Sequence, residues 1–494
     1  MPWLIVLVVA LSSCFSPEEP QTEKDVAEEA IARAMTSVQS AVAKAGADST
    51  RPVYHFRPPA QWMNDPNGTI FHNGYFHLFY QHNPYGDAWG NMHWGHARSR
   101  DLVHWDHLPI ALWPSKNLGE DHCFSGCAVL NGEGTPMLFY TSVSGQRANQ
   151  QWVAVGDQDL LHWAKYRDNP VLDLGGSGVP AFGKDWRDPF IFSEAGRTFL
   201  VVGADTETES LIPLYEAEDE SLTRWKYRGI LFRLPKEEVK FFECPNFFKV
   251  DGKWMLICAP YRPLEYWIGS FDLETLEFKP ETEGVLDAGF GGTANFYASN
   301  IAYGPEGRCI LFGWLRGFQE GRGWNGCLAL PRELSLSSTG HPIQNPVHEF
   351  RTLRTAGSRL SNIELDDNGQ VLEGMNGDTL EIAVSFRPQG SVKCGIKLRR
   401  SAEGEGISLQ YDGEQLDVAG TAVPLSRASI GESLDLRIFL DRSVMEVFAE
   451  DGQVAVTRVI YPNEKAGGIE VFAEGGLAEV TSVEVWPIQS IWDH

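Results

Sequence analysis

Three acidic residues of this chain stand at nearly the same place in three copies of a short internal repeat. Asp65, Asp188 and Glu243 each precede the glycine of their repeat by eight or nine residues. Two carboxyl groups at one site can cleave an acetal, because one protonates the leaving oxygen while the other attacks or activates water. If the repeats surround a common axis, equivalent side chains point toward one another, so we expect the three acids to converge.

The segments around two of these acids suggest different roles. Asp65 lies in WMNDPNG at 62–68, where proline and glycine fix the backbone, and a rigid acid suits a nucleophile held at attack distance. Taken alone, this segment could also be an ordinary tight turn. Glu243 lies in FFECP at 241–245, where apolar neighbours favour the protonated form that a general acid needs. A glutamate at a strand edge facing water is the simpler alternative.

The third acid has a basic neighbour. In the tripeptide Arg187-Asp188-Pro189 the guanidinium would keep the carboxylate ionised. We therefore expect Asp188 to accept hydrogen bonds from hydroxyl groups and to stabilise charge, and not to transfer protons. The alternative is a structural Arg-Asp pair at the start of a repeat.

The repeat predicts an all-β architecture. A glycine followed four residues later by leucine occurs five times within apolar runs, and the steps between glycines are 60, 62, 56 and 55 residues: Gly74, Gly134, Gly196, Gly252 and Gly307. This period suits one four-stranded propeller blade, so we predict five blades. Ser125 and Ser299 occupy the acid position in the second and fifth repeats. A second marker, DLxHW at 101–105 and 159–163, predicts turns that close outer strands.

Composition limits the class of partner. The chain has 494 residues, long enough for a propeller and a second domain, and 43% of them are hydrophobic, which suits a sizeable core. Its 66 acidic residues outnumber 41 basic ones, which argues against nucleic acid or an anionic lipid surface as the partner. A neutral substrate fits this charge better.

The N-terminal region predicts export. Residues 1–14 contain a short apolar run typical of a signal peptide, and LSSC at 11–14 resembles a bacterial lipobox that would make Cys14 the site of lipidation and membrane attachment. The protein would then be a membrane-anchored lipoprotein, periplasmic or at the cell surface. Simple secretion and an uncleaved anchor are the alternatives. Residues 15–50 read as an acidic spacer with one amphipathic helix, which could also dimerise; the oligomeric state is left open.

The cysteines predict neither a disulfide framework nor a metal site. Seven remain besides Cys14, an odd number without the spacing of a small disulfide-rich domain. Cys123 and Cys127 could be taken for metal ligands, but no His or Cys cluster accompanies them. We interpret both as buried free thiols.

The motifs together resemble glycoside hydrolase family 32, the family of invertases, levanases and inulinases. Its three hallmark segments appear here as WMNDPNG, RDP and EC. Further segments look like family segments in family order, over roughly residues 51 to 490: FYQHNP at 79–84, WG and WGH between 89 and 96, FSG at 124–126, FYAS at 296–299, GW at 313–314 and LPREL at 330–334.

This resemblance implies a fold and a reaction. It implies a five-bladed β-propeller at 51–345, a C-terminal β-sandwich at 355–494, and retaining hydrolysis that releases terminal β-D-fructofuranosyl units from sucrose, levan or inulin. Asp65 would be the nucleophile, Glu243 the acid/base and Asp188 the transition-state stabiliser. No metal or organic cofactor is implied. The residues implied to line the fructosyl subsite are Asn64, Gln81, Trp89, Phe124, Ser125, Arg187 and Trp314.

Three other functions remain open at this point. A fructosyltransferase would use the same chemistry with a sugar in place of water. A propeller lectin would bind sugar without cleaving it, because fold alone does not imply activity. A propeller that cleaves arabinan or xylan could also carry acids on its axis, although the WMNDPNG and FSG segments favour fructose.

Overall fold

A computed structural model describes residues 23–175, 180–289, 295–367, 369–389 and 393–492. The predicted signal peptide and Cys14 lie outside these residues. Within the described ranges the chain is mostly strands, with α1 (Glu23–Gly46), α2 (Arg427–Ile430) and short 3-10 helices at Lys116–Leu118, Pro305–Gly307, His348–Leu353 and Glu450–Gly452.

The first helix precedes the propeller and packs against it. Its buried face consists mainly of small side chains, including Ala34, Val38 and Ala45, whereas Met35 is exposed. The small side chains let α1 lie close to the strands beneath it. None of the helices in the described part of the chain is long and apolar enough to cross a membrane.

Five antiparallel sheets follow along the chain. The first is formed by β1 (Gln61–His72), β2 (Tyr75–Asn83), β3 (His93–Ser99) and β4 (Trp105–Leu112). The second is formed by β5 (His122–Leu130), β6 (Pro136–Val143), β7 (Gln150–Gly156) and β8 (Trp163–Lys165). The third is formed by β9 (Arg187–Glu194), β10 (Arg197–Asp205), β11 (Glu209–Ala217) and β12 (Trp225–Pro235).

The fourth and fifth sheets complete the series. The fourth is formed by β13 (Glu243–Val250), β14 (Lys253–Ala259), β15 (Glu265–Asp272) and β16 (Glu277–Val285). The last repeat supplies β17 (Phe296–Tyr303), β18 (Cys309–Leu315), β19 (Trp324–Asn325), β20 (Cys327–Leu328), β21 (Arg332–Leu336) and β22 (Pro342–Pro346). Of these, β19 leaves its own sheet and pairs in parallel with β1.

The repeat markers lie at equivalent turns. The five repeat glycines connect the first and second strands of the five sheets, and their φ angles fall between +76° and +81°, a left-handed conformation that glycine adopts without steric cost. The DLxHW segments connect the third and fourth strands, as predicted. In the first of them the indole nitrogen of Trp105 donates to the carbonyl of Leu102, and Trp163 repeats this bond with Leu160 in the second. The equivalent turn of the third sheet, SLTRW at 221–225, has the same bond between Trp225 and Leu222.

The first strands of the five sheets surround a common axis. Each contacts the first strand of the next sheet, and β17 contacts β1, so the series closes on itself. The parallel pairing of Gln61 and Trp62 with Trp324 and Asn325 adds a backbone connection between the last repeat and the first. The chain is therefore a propeller of five sheets.

A β-sandwich follows the propeller. One six-stranded sheet contains β23 (Ser358–Leu365), β25 (Thr379–Pro388), β30 (Leu434–Asp441), β31 (Val444–Ala449), β32 (Val454–Val459) and β34 (Ala478–Pro487). The other contains β24 (Gln370–Asn376), β26 (Lys393–Arg400), β27 (Ile407–Tyr411), β28 (Gln415–Val418), β29 (Thr421–Pro424) and β33 (Gly468–Glu474). Their facing side chains form a separate apolar core.

A buried network of charged residues joins the sandwich to the propeller. His55, just before the propeller, contacts Asp441 at 2.8 Å and Glu446 at 3.0 Å, both from the sandwich. Arg332 of the propeller contacts Glu446 at 2.5 Å and Asp287 at 2.9 Å. All five side chains are inaccessible to solvent. Because buried charges are costly unless paired, this network couples the two domains tightly.

Candidate active site

The three acids predicted from the repeat meet at one end of the propeller axis. The sulfur of Cys244 lies 3.4 Å from Asp65 Oδ2 and 3.8 Å from Asp188 Oδ2, so it joins two of the acids. Arg187 joins the other pair, because its Nη2 lies 3.0 Å from Glu243 Oε1 and its Nε lies 3.8 Å from Asp188 Oδ2. The structure therefore brings all three acids together.

A β-bulge in each innermost strand creates this convergence. Pairing with the second strand is interrupted at equivalent places, namely residues 64–65, 124–125, 188–189, 244–245 and 298. Bulges bend a strand and redirect its side chains, often beside active sites. Asp188 and Cys244 adopt φ angles of +69° and +47° at these bulges. The bulges thus turn side chains from five different sheets toward the axis.

The predicted register was one residue off for Glu243. Strand β9 begins with Arg187-Asp188-Pro189 and β13 begins with Glu243-Cys244-Pro245, and the middle residue of each tripeptide has a positive φ. Cys244 therefore occupies the place of Asp188, and Glu243 occupies the place of Arg187. The proline in both tripeptides was the sequence signal for this alignment. The distances to the glycine gave the same signal, because Arg187 and Glu243 both lie nine residues before it, whereas Asp188 lies eight before it.

Asp65 accepts hydrogen bonds on both carboxylate oxygens. Ser125 Oγ donates to Oδ2 at 2.5 Å, and the amide nitrogen of Asn64 lies 3.2 Å from Oδ1. Burial raises the pKa of Asp65 and the nearby Glu243 charge adds to this, while the bonds from Ser125 and Asn64 oppose it; the net shift is upward. Those donors hold the carboxylate in one orientation and favour its ionised form.

A chain of amide and hydroxyl groups supports Asp65 from behind. The indole nitrogen of Trp62 donates to Asn64 Oδ1 at 2.8 Å, Asn64 Nδ2 donates to Gln81 Oε1 at 3.0 Å, and Gln81 Nε2 donates to Ser125 Oγ at 2.7 Å. Three predicted subsite residues thus form one network around the acid. The donors and acceptors of these side chains that the network leaves unused therefore point in fixed directions, which preorganises the site.

Glu243 lies in a polar environment and not in the apolar one expected from its sequence neighbours. The hydroxyl of Tyr297 donates to its Oε2 at 2.7 Å, and Arg187 donates to its Oε1. Its side chain is 21% exposed, compared with 6% for Asp188. The adjacent Phe241 and Phe242 are buried, and the guanidinium of Arg187 lies between the Phe241 ring, 4.0 Å from its centre, and the Glu243 carboxylate.

The guanidinium does not keep Asp188 fully ionised, contrary to the expectation from the tripeptide. Burial raises the pKa of Asp188 to about 7; Arg187 lowers it, and the Glu243 and Asp65 charges raise it further. Arg187 is closer to Glu243 than to its own neighbour, which explains its limited effect. The Asp188 carboxylate instead accepts the backbone N–H of Cys244 at 3.0 Å.

Aromatic rings border the acids on two sides. The ring of Trp89 is 55% exposed and lies 5.2 Å from His122 and 6.1 Å from Phe124. On the other side Trp314 lies 5.8 Å from the ring of Trp62. The remaining predicted subsite residues, Trp89, Phe124 and Trp314, therefore lie at the same end of the axis as the acids.

Two contact residues were missed by sequence reasoning. Tyr297 directly precedes the bulge of β17 and so occupies the Glu243 place in the fifth sheet; the corrected register would have identified it. Tyr261, whose hydroxyl accepts a bond from Arg187 at 2.8 Å, lies in a loop between strands, where the repeat gives no signal.

The cysteines in the described part of the chain are free thiols. Cys123 and Cys127 are buried free thiols, as predicted. Across the described ranges, no group of three or more His, Cys, Asp or Glu side chains is arranged to hold a metal ion.

Family models match both domains of the chain. The N-terminal domain of glycosyl hydrolases family 32 matches residues 55–346, and the C-terminal domain of the same family matches residues 349–487. The two matches adjoin one another and cover the propeller and the sandwich in turn.

Curated relatives and solved structures agree with this match. The chain is 30% identical to a levanase of Bacillus subtilis, over 90% of this chain and 71% of that protein. It is 32% identical to a sucrose-6-phosphate hydrolase of Escherichia coli, over 88% of this chain and 94% of that protein. A Bombyx mori family 32 β-fructofuranosidase superposes with a TM-score of 0.80 at 29% identity, covering 94% of this chain and 100% of its own. The chain therefore belongs to glycosyl hydrolase family 32 and is a glycosidase.

Proposed function

We propose that this protein is a retaining, exo-acting β-fructofuranosidase that releases terminal fructosyl units from sucrose or from fructans such as levan and inulin. The observation that carries the proposal is the convergence of Asp65, Glu243 and Asp188 at the end of the axis. Relatives named levanase and raffinose invertase, and a solved complex of a Bombyx mori family member with sucrose, support the substrate class.

Asp65 is the nucleophile in this proposal. Its carboxylate attacks the anomeric C2 of the fructosyl unit, forming a C–O bond as the glycosidic C–O bond breaks. The bonds from Ser125 and Asn64 fix the attacking oxygens, which favours a near-attack geometry. The product of this half-reaction is a covalent fructosyl-enzyme.

Glu243 supplies and then recovers a proton. In the first half-reaction it protonates the glycosidic oxygen, so the leaving sugar departs as a neutral alcohol. In the second it removes a proton from water, whose oxygen attacks C2 and frees Asp65. Tyr297 and Arg187 hold its two oxygens in place, which supports both steps from one position.

Asp188 binds the sugar and stabilises the transition state. It lies between the other two acids through Cys244 and Arg187, so it can accept hydrogen bonds from hydroxyl groups of the fructosyl ring. Positive charge develops on that ring in the oxocarbenium-like transition state. A carboxylate beside the ring stabilises that charge, so the ionised form of Asp188 is the effective one.

Initial rates of fructose release from sucrose, inulin and levan test this function and rank the substrates. Sucrose 6-phosphate belongs in the same assay, because the family match includes sucrose-6-phosphate hydrolases. Retention is tested by methanolysis, in which a retaining enzyme gives methyl β-fructofuranoside. Binding of sucrose without release of fructose would identify a lectin, and release of arabinose or xylose from their polymers would favour the other propeller glycosidases.

Product analysis at high sucrose concentration separates hydrolysis from transfer. A hydrolase gives free fructose and glucose in equal amounts. A fructosyltransferase gives excess glucose together with longer oligosaccharides, because a sugar hydroxyl replaces water in the second half-reaction. We expect the first result at low substrate concentration.

We further propose export and lipidation at Cys14. The apolar run and the LSSC segment support this proposal. Membrane fractionation of cells that express the full chain tests it, with Cys14→Ser as the variant. Lipidation predicts a processed, membrane-bound wild type and a variant that is not processed. A wild type found entirely in the soluble secreted fraction would favour simple secretion, and an unprocessed membrane-bound wild type would favour an uncleaved anchor.

A further inference from the structure

Tyr261 is an exposed aromatic residue held at the edge of the active site. It lies in the loop between β14 and β15, and its side chain is 46% exposed. Arg187 Nη2 donates to its hydroxyl at 2.8 Å and to Glu243 Oε1 at 3.0 Å, so one nitrogen joins the tyrosine and the glutamate. A large exposed ring is therefore fixed beside the proton donor.

The loop holds Tyr261 at both its backbone and its side chain. Its N–H donates to the Tyr297 hydroxyl at 2.9 Å, and its φ is +63°, a left-handed conformation that is unfavourable for a non-glycine residue. The next residue, Arg262, pairs with Glu265 and donates to the carbonyl of Glu238 at 2.6 Å. Strained residues persist where surrounding contacts determine their conformation, as these contacts do.

The position of Glu243 indicates which part of the substrate lies beside the Tyr261 ring. The general acid protonates the oxygen of the departing sugar, so that sugar lies on the Glu243 side of the cleaved bond. The nucleophile Asp65 and its support, Asn64, Gln81 and Ser125, belong to the fructosyl side. Tyr261, which Arg187 and Tyr297 join to Glu243, is consequently next to the leaving group.

The Tyr261 ring is half exposed and has a lysine over one face. The ammonium of Lys240 lies over the ring, 5.5 Å from its centre, and so covers one face. The opposite face can contact the C–H surface of a sugar ring, a common use of aromatic side chains in polar pockets. The hydroxyl, anchored by Arg187, sets the tilt of that face relative to Glu243.

We infer that Tyr261 is a specificity-determining residue that stacks on the neutral sugar leaving group and so selects glycosyl leaving groups over small alcohols. This inference rests on the proposed function, because it uses Glu243 as the proton donor. It assigns the loop at residues 260–264 to the leaving-group subsite.

The test compares two substrates that share the fructosyl unit. The leaving group of sucrose is glucose. The leaving group of methyl β-D-fructofuranoside is methanol, which is too small to reach the tyrosine. In Tyr261→Ala we expect the ratio of kcat/KM for sucrose to that for the methyl fructoside to fall about tenfold, the effect of losing one aromatic contact. In Tyr261→Phe, which keeps the ring, the ratio should stay within about twofold of wild type.

A matched control and a second variant keep the result interpretable. Tyr303 is similarly exposed, at 48%, but lies at the far end of β17, so Tyr303→Ala should leave the ratio unchanged. Tyr261→Leu repeats the loss of the ring with less loss of volume. An unchanged ratio in both Tyr261→Ala and Tyr261→Leu, or an equal fall in Tyr261→Phe, would overturn the inference. A wild type that cleaves neither substrate would overturn the proposed function and this inference with it.

Discussion

At the scale of single residues, the three acids differ in what surrounds them. Asp65 receives bonds from a serine and an asparagine, Glu243 from a tyrosine and an arginine, and Asp188 from a backbone N–H. Carboxylates of similar intrinsic acidity therefore carry different tasks, because their neighbours stabilise different protonation states. Two predictions follow from these contacts.

Removing the nucleophile should abolish turnover without unfolding the protein. In Asp65→Asn the shape of the side chain is kept but its charge is lost, and we expect kcat to fall by about 10⁴-fold or more. Fructose release from sucrose measures the loss, and circular dichroism checks the fold. Ser299→Ala is the matched control, because Ser299 is buried in β17 near the same axis. Near-native turnover in Asp65→Asn would contradict the assignment.

Asp188 should lower stability at neutral pH. Its pKa is about 7 in the folded protein, well above the usual 3.8, so the folded state binds a proton that the unfolded state has already released. Stability is then highest at low pH and falls as pH rises toward 7. We expect Asp188→Asn to increase the free energy of unfolding by about 1–3 kcal/mol at pH 8, and by much less at pH 4.

Urea unfolding of wild type and variant at the two pH values measures this difference. The same variant should lose most of its activity, so a gain in stability would accompany a loss of function. If the difference in unfolding free energy between Asp188→Asn and wild type were the same at both pH values, the burial of Asp188 would not disfavour its charge.

At the scale of elements, periodicity predicted more than individual neighbours did. The glycine repeat located all five connections between first and second strands, because each needs a positive φ at the same turn. It also brought Asp65, Asp188 and Glu243 to one end of the axis. It missed the exact register of Glu243 because distances of eight and nine residues from the glycine were treated as equivalent. It missed the contact from Tyr297 because the bulge of β17 has one residue instead of two and the turn after that strand is longer.

Elements outside the repeat gave less information. The amphipathic spacing predicted a helix before the propeller, but not its partner. Asp48, just after α1, accepts the indole N–H of Trp324 at 2.8 Å and pairs with Arg322 at 2.9 Å. These contacts join residues almost 300 positions apart, and no periodic pattern signals them. They attach α1 to the strand that closes the ring.

Asp48→Ala should therefore weaken the attachment of β19. The variant leaves a buried indole N–H without its acceptor, and we expect the free energy of unfolding to fall by about 1–3 kcal/mol at pH 7. Although burial opposes it, bonds from Thr50 and Trp324 lower the pKa of Asp48, so its contribution is lost as pH falls below the usual value of 3.8. Thermal unfolding at pH 7 and pH 3 measures this. Glu274→Ala, in an exposed turn, is the control and should have no effect.

At the scale of the whole molecule, the propeller and the sandwich share one buried charge network. His55 lies 386 positions before Asp441 and 391 before Glu446, and only the fold brings it to them. The family resemblance predicted a sandwich but gave no sign of this network. A scattered set of single residues has no period, so pattern reasoning could not find it.

Because of this network, the free energy of unfolding should fall at alkaline pH. Burial alone would lower the pKa of His55, but the bonds to Asp441 and Glu446 raise it to about 9, above the usual 6.5. Its stabilisation is therefore complete below pH 6.5 and is lost as pH rises through about 9. We expect His55→Gln to cost about 2–4 kcal/mol of unfolding free energy at pH 6, with a smaller difference from wild type at pH 10.

Calorimetry at both pH values checks the sign and the window. His162→Gln is the control, because His162 also pairs with an aspartate but is 87% exposed. The control should change stability little at either pH. A difference for His55→Gln that grows from pH 6 to pH 10 would contradict the charged state of His55.

The pairing of β19 with β1 also bears on when the enzyme becomes active during its synthesis. All three acids have been incorporated once the ribosome has passed Glu243, yet the first blade still lacks its neighbour from the last one. Residues 324–325 must be translated before they can join β1. A nascent polypeptide is thus catalytically silent for as long as its ring stays open, and translation order alone delays the first turnover.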